Sequence, residues 1–381
     1  MSSDPSGQRP ANYSANINGF RGVCVLLIFL HHVGNSRLPP AADPQIWWQM
    51  ELHTLFMSFA YGVELFFMIS GYVIVQSLRR HATVRAFLQD RVLRIFPVWI
   101  PVALALCAAS LLTTRVGYDG SDPLRWVGYT VANLLLLPPL LPAPLLHPAS
   151  WSLTYEWVFY LASALAAVMW RASRTPLAAK FAWGVAVVLL MACYPRALYF
   201  LPGVLVALAP EAVRVLQRAP RMAYVALPVF LLSWYATGIV AAGYDIPLWS
   251  VLSDMRAIPA AIAMASATVL FVCVAAPDGR GLRVLRSRLA QHLGTISYSF
   301  YLVHPLVMAV VKPIVVRLVP DAYGSWLATA AFALVSLPLA WLLSYLSWRW
   351  LEQGLARWLR QRTRSPQSAR RREVAAGTGH A

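Results

Sequence analysis

GFRGVCVLLIFLHHVG, residues Gly19 to Gly34, is an apolar run that opens on Arg21 and closes on the pair His31, His32. A soluble core helix rarely buries such groups, and a plain membrane anchor has no need of them. The solvent around this run therefore decides how its ionisable ends are read, and composition identifies that solvent. Of 381 residues, 59% are hydrophobic and 12% charged, with a mean hydropathy of +0.58. Soluble domains carry about a quarter charged residues, so this chain lacks the polar surface to coat a globule. Apolar runs recur along its length without the ten-residue alternation of a β-barrel. The expected fold class is all-α, a polytopic membrane helical bundle.

Ten runs read as crossings: 20–34, 55–76, 95–112, 150–170, 181–194, 197–210, 222–242, 258–276, 294–318 and 325–346. Several fall short of the roughly 20 residues a span requires. Basic residues test the count. Arg79, Arg80, Arg85, Arg91 and Arg94, then Arg171, Arg174 and Lys180, then Arg214, Arg218 and Arg221, then Arg280, Arg283, Arg286 and Arg288 fill alternate connections. Eight more Arg follow Trp348. All these stretches share one side if the ten runs cross and 127–146 does not, as the positive-inside rule requires. The expected arrangement is about ten spans in the inner (cell) membrane with both termini cytoplasmic. In 127–146, Pro138, Pro139, Pro142 and Pro144 remove donors and clash with preceding turns. A re-entrant or broken segment entering from the extracytoplasmic side is expected there.

The net charge of +17 is read as topology first and attraction for an anionic ligand second, with no nucleic-acid partner. Cys24, Cys107, Cys193 and Cys273 lie in apolar runs without CxxC spacing and are expected to be buried small hydrophobes, with no metal site. The organisation expected is a polar N-terminus over 1–16, one membrane domain over 17–355, and a basic, disordered cytoplasmic tail over 356–381.

Ionisable groups inside a bilayer are costly and usually face a cavity or a partner. On a helix, His32 lies eleven residues after Arg21, about 20° from the same face and about 16 Å along the axis, while His31 points about 80° away. One face then presents a guanidinium near the inner surface and an imidazole deeper, along a shared channel. Glu64 would orient an imidazole if it sat beside one, or serve structure if paired with an arginine. Arg91 and Arg94, three apart, suit either phosphate or topology. Trp151 and Tyr155 fit an aromatic belt, and Glu156 one turn deeper needs a sugar hydroxyl or an Arg. Ser297, Tyr301 and His304 share a face, as helix glue or as a pocket wall.

Together, INGFRG followed by His32, GVELFFMISGYVI, RVLRIFP, WSLTYEWVFY, ISYSFYLVHP and WRWLE resemble, in order, the blocks of the acyltransferase-3 family of integral membrane O-acyltransferases. The resemblance covers about 17–355. It implies a ten-helix core and transfer of an acyl group, commonly acetyl from acetyl-CoA as co-substrate, to a hydroxyl of a carbohydrate or other glycoconjugate acceptor. The family's essential His maps to His32 and its Arg to Arg21. Asn18 and Glu64 stand where the family usually has Asp, and Gln353-Gly354 replaces Arg-Pro after Glu352. The expected catalytic residues are His32 and Glu64, with acyl-CoA held by Arg21, Arg91 and Arg94. The acceptor is expected at Trp151, Glu156, Ser297, Tyr301 and His304. Whether His32 is a general base or a covalent acyl carrier is open at this level. Alternatives are acylation of a small glycosylated secondary metabolite such as a macrolide, a proton-coupled transporter, and a non-catalytic scaffold.

Overall fold

A computed structural model describes residues 14–41, 43, 45–112, 122–172, 174–237, 248–252, 256–276 and 282–363. The expectations for most of the polar N-terminus, 1–13, and for the tail beyond 363 lie outside the described residues. Helix α1 (Ala15–Gly34) begins where the Ser14 hydroxyl accepts the Ile17 N–H at 3.3 Å, a side-chain cap for an otherwise orphan donor. Then come α2 (Trp47–Ser58), α3 (Gly62–Arg80), α4 (Val84–Leu112), α5 (Pro123–Leu134) and α6 (Ser150–Arg171). Next are α7 (Leu177–Cys193), α8 (Phe200–Leu208), α9 (Pro210–Gln217), α10 (Ala223–Ala236) and the short α11 (Leu248–Leu252). The long helices α12 (Ala257–Val274), α13 (Arg288–Leu318) and α14 (Trp326–Ser347) follow, and α14 continues through a π-helical stretch (Trp348–Leu355) into α15 (Ala356–Thr363). No strand occurs among the described residues.

All ten expected runs contain helix, but they differ in length. Seven helical segments among the described residues are long and apolar enough to cross a membrane, or eight if one bent pair counts as a single span. That pair is Leu177–Cys193 and Pro195–Leu208, which meet at 114°. The ten-crossing count is therefore approximate. It separates 181–194 from 197–210, where Pro195 starts a tight turn, and it includes α10, of which 14 residues are described. The chain is a multi-pass membrane protein. Leu177, Phe181 and Val188 of α7 are largely exposed, and α7 buries no residue at all. Apolar surface of that extent suits a helix facing lipid.

The 127–146 segment is broken, as expected. Helix α5 stops at Leu134, Leu136 takes a left-handed backbone (φ 56°), and irregular chain runs to α6. Such backbone is tolerated at membrane depth only where protein satisfies it. Asn133 does much of this: its Nδ2 donates to the Tyr129 and Pro144 carbonyls, each at 2.9 Å, and its Oδ1 accepts the Leu146 N–H at 2.9 Å. His147 contributes on the same stretch. Its Nε2 donates to the Leu302 carbonyl at 2.9 Å and its Nδ1 accepts the Ala149 N–H at 3.0 Å, which holds one neutral tautomer.

At the centre, α1 packs on α13 and α3 packs on α8. A Cβ at Gly294 would overlap the Asn18 carbonyl, and one at Gly203 would overlap that of Met68. Small residues are what let these backbones touch. Arg171 bonds the Leu78 carbonyl at 2.9 Å, Arg286 the Asn16 side chain at 2.9 Å, and Arg360 bonds Asp90 at 3.1 Å. These contacts gather basic stretches at the Arg21 end of the bundle. Within the stretch expected to be disordered, 356–363 are helical and Arg360 pairs with Asp90. Of the cysteines, Cys24, Cys107 and Cys273 are buried, while Cys193, at the end of peripheral α7, is exposed.

Candidate active site

The polar residues of the core line two cavities. The first, about 110 Å³, lies between α1, α3, α4, α6 and α13, and its walls include Arg21, Arg91, Arg94, Glu156, Ser297 and Tyr301. Arg21 projects into it without a hydrogen bond or ion pair to any described residue. The other two cations are tied. Arg91 pairs with Asp90, and its guanidinium lies 5.8 Å from the Tyr160 ring centre. Arg94 pairs with Glu352 and lies 5.3 Å over the Tyr298 ring. Glu352 also accepts the Ser299 hydroxyl at 3.2 Å. The wide π turn containing Glu352 belongs to a class of bulge often found at functional sites. Glu156 accepts the Ser70 hydroxyl at 2.8 Å and the Tyr160 phenol, while the Ser297 hydroxyl donates back to the Gly294 carbonyl at 2.9 Å.

The second cavity, about 560 Å³, opens at the other end of α1 among His31, His32, Arg196 and Lys312. The two histidines differ as the helical wheel requires. His31 is buried and its Nδ1 donates to the Phe56 carbonyl at 3.2 Å. His32 is half-buried and makes no hydrogen bond among the described residues, so both ring nitrogens are open to the cavity. Arg196 is 3% exposed. Its Nε donates to Glu64, and its guanidinium lies 4.0 Å over the Trp151 ring. A buried cation held by a carboxylate and a π face is a rigid fixture.

Between the cavities lies an aromatic layer. Tyr301 lines the first cavity and its hydroxyl bonds that of Ser152 at 2.8 Å. Its ring centre is 6.3 Å from His304, and His304 is 5.3 Å from His32. Phe300 stacks on His304 at 5.4 Å, and Phe29 meets it edge-on at 6.3 Å. The His304 Nδ1 donates to the Phe300 carbonyl at 2.7 Å, leaving a buried Nε2 with no partner among the described residues. The sequence predicts one shared channel from Arg21 to His32. The structure has two cavities without a common wall residue, because Tyr301 and His304 occupy the space between.

The sequence profile described as an acyltransferase domain matches residues 14–345. The chain belongs to the acyltransferase-3 family. Acyltransferase MdmB of Streptomyces mycarofaciens is 28% identical over 326 residues, covering 77% of this chain and 78% of that protein. No solved structure matches the chain. Both cavities lie within the matched residues, and the family makes this protein an acyltransferase built into a membrane.

Within this acyltransferase the expected site residues divide. Arg21, Arg91, Arg94, Glu156, Ser297 and Tyr301 share the first cavity, and His32 lies in the second. The expected acceptor residues Glu156, Ser297 and Tyr301 thus lie with Arg21 and not with His32, and of the two readings open for Glu64 the arginine pair is the one found. Glu64 binds Arg196 and is not bonded to His32, because the turn at Pro195–Tyr199 carries Arg196 inward over α3. Trp151 is not at a lipid-facing belt: it is buried against Arg196, Phe67 and Tyr155. The sequence assigns no role to Arg196, whose only signal is that it stands alone between two apolar runs. The sequence shows Glu352 only as the end of WRWLE and Lys312 only as a lysine in an apolar run. Among the described residues no group of three or more His, Cys, Asp or Glu is placed to hold a metal ion.

Proposed function

We propose that this protein transfers an acyl group, acetyl as the simplest case, from acyl-CoA on the cytoplasmic side of the inner membrane to a hydroxyl of a carbohydrate acceptor. The carbohydrate is part of an exopolysaccharide, a lipopolysaccharide or a lipid-linked sugar. The carrying observation is that Arg21 and His32, on one helix, are open groups in separate cavities at its two ends. Arg21 meets a CoA phosphate, with Arg91 and Arg94 adding positive potential from behind their carboxylates. The first cavity is narrow, so its walls part to take the pantetheine arm and the phosphate at its end while the nucleotide stays outside. Tyr301 and His304 part to let the thioester reach His32. His32 takes the proton of the acceptor hydroxyl as its oxygen attacks the thioester carbonyl. The C–O bond forms, the C–S bond breaks, and the imidazolium returns the proton to the departing thiolate. Burial keeps water from the thioester. Glu64 and Trp151 act one step back, by fixing Arg196.

The test is mass spectrometry of cell-surface glycans and secreted glycosides from cells with and without the gene, beside cells carrying His32→Ala. Loss of one acyl mass increment from a glycan in both altered strains is expected. An unchanged acyl pattern overturns the reading. With purified protein, CoA release that depends on acceptor marks a general base, whereas a stoichiometric burst without acceptor marks an acyl-imidazole.

A further inference from the structure

The cavity that holds His32 has a cationic wall with no acidic residue among its described lining. Arg196 is bonded to Glu64 through Nε only, and its two terminal nitrogens make no hydrogen bond among the described residues. They form a guanidinium fork already immobilised by the Trp151 ring and the Glu64 carboxylate. Lys312 of α13 lines the same cavity, half-buried, and its nearest recorded partner is the Tyr323 ring at 5.9 Å. Glu64 offsets one positive charge, and no carboxylate among the described residues pairs with Lys312. A fork of parallel N–H donors backed by an ammonium matches a carboxylate or a phosphate ester. A neutral polyol would leave both cations without the strong acceptors they need, which costs affinity.

We infer that the acceptor is anionic: a sugar carrying a carboxylate or phosphate ester that binds Arg196 and Lys312 and so turns a neighbouring hydroxyl toward His32. This rests on reading the His32 cavity as the acceptor site. Within that reading, Arg196 and Lys312 set specificity and Glu64 is a positioning residue that acts through Arg196.

The test is calorimetric titration of the purified full chain in lipid nanodiscs with methyl glucuronide, methyl glucoside 6-phosphate and neutral methyl glucoside. At least one anion is expected to bind ten times more tightly than the neutral glycoside, and the stronger of the two identifies carboxylate or phosphate as the ligand. Lys312→Gln, which disturbs no ion pair, should reduce that preference about tenfold. Equal affinities, no saturable binding of either anion, or a preference untouched by Lys312→Gln would each overturn the inference. Binding is scored without donor. Failure of acyl transfer at His32 would therefore show separately, as anion binding with no labelled product from acetyl-CoA.

Discussion

The cavity at the Arg21 end and the cavity at the His32 end hold their charges differently. At the Arg21 end three arginines crowd a space of about 110 Å³, and two of them are neutralised by Asp90 and Glu352. At the His32 end a space of about 560 Å³ has one arginine clamped by Glu64, one lysine without a carboxylate and two imidazoles. The larger volume lies within the usual range for small-molecule sites and the smaller lies well below it. A narrow cationic throat suits a thin chain ending in phosphates, and a roomy pocket suits a whole sugar ring. A larger apolar groove of about 680 Å³, with Trp170 and Trp183 in its walls, contains neither Arg21 nor His32. Volume alone would select that groove, whereas the polar side chains select the two cavities proposed here as the site.

The contrast breaks most sharply at His32. His32→Ala should lower acyl transfer by about 10²–10⁴-fold, the usual contribution of a general base. Size-exclusion profile and melting temperature should stay unchanged, since the side chain makes no hydrogen bond among the described residues. A variant that keeps its activity would move the chemistry elsewhere. Next in size is the clamp. Glu64→Gln strips the counter-charge from buried Arg196 and should cost about 3–5 kcal/mol of stability, read as a lower melting temperature in detergent. An unchanged melting temperature would mean that the pair is not buried in the membrane. At the throat, Arg21→Gln should raise the KM for acyl-CoA about tenfold or more, the loss of a charge-assisted hydrogen bond of about 1.5–3 kcal/mol. Its KM for acceptor should not move, and a shift in the acceptor KM instead would exchange the roles of the two cavities. The smallest effect belongs to His31→Ala, which removes a bond to the Phe56 carbonyl worth about 1 kcal/mol. It should lower transfer less than tenfold. Equal losses at His31 and His32 would abolish the distinction between the two faces.

Much of this site was legible along the chain because helices translate spacing into direction. Eleven residues at 100° per residue bring His32 back to the face of Arg21, and one step fewer leaves His31 about 80° away from it. The structure duly leaves His32 open and bonds His31 to backbone. Ser297, Tyr301 and His304 were likewise read as one polar stripe of α13, and they run from the first cavity toward the second. Pairing across helices was not legible. Glu64 and Arg196 are 132 residues apart and Arg94 and Glu352 are 258 apart. Nothing in the local pattern selects one partner from the many cations in the chain.

Composition and periodicity alone determined that this is an all-helical membrane protein, where its chain is broken by prolines, and that His32, unlike His31, shares the Arg21 face of α1. Those properties depend on transfer of side chains into lipid and on the pitch of one helix, both of which are local. Only the tertiary structure decided that the path along α1 is two cavities closed by Tyr301 and His304, and that Glu64 serves Arg196. Those outcomes depend on which helices abut, and that depends on glycine contacts and side-chain volumes summed over the whole bundle.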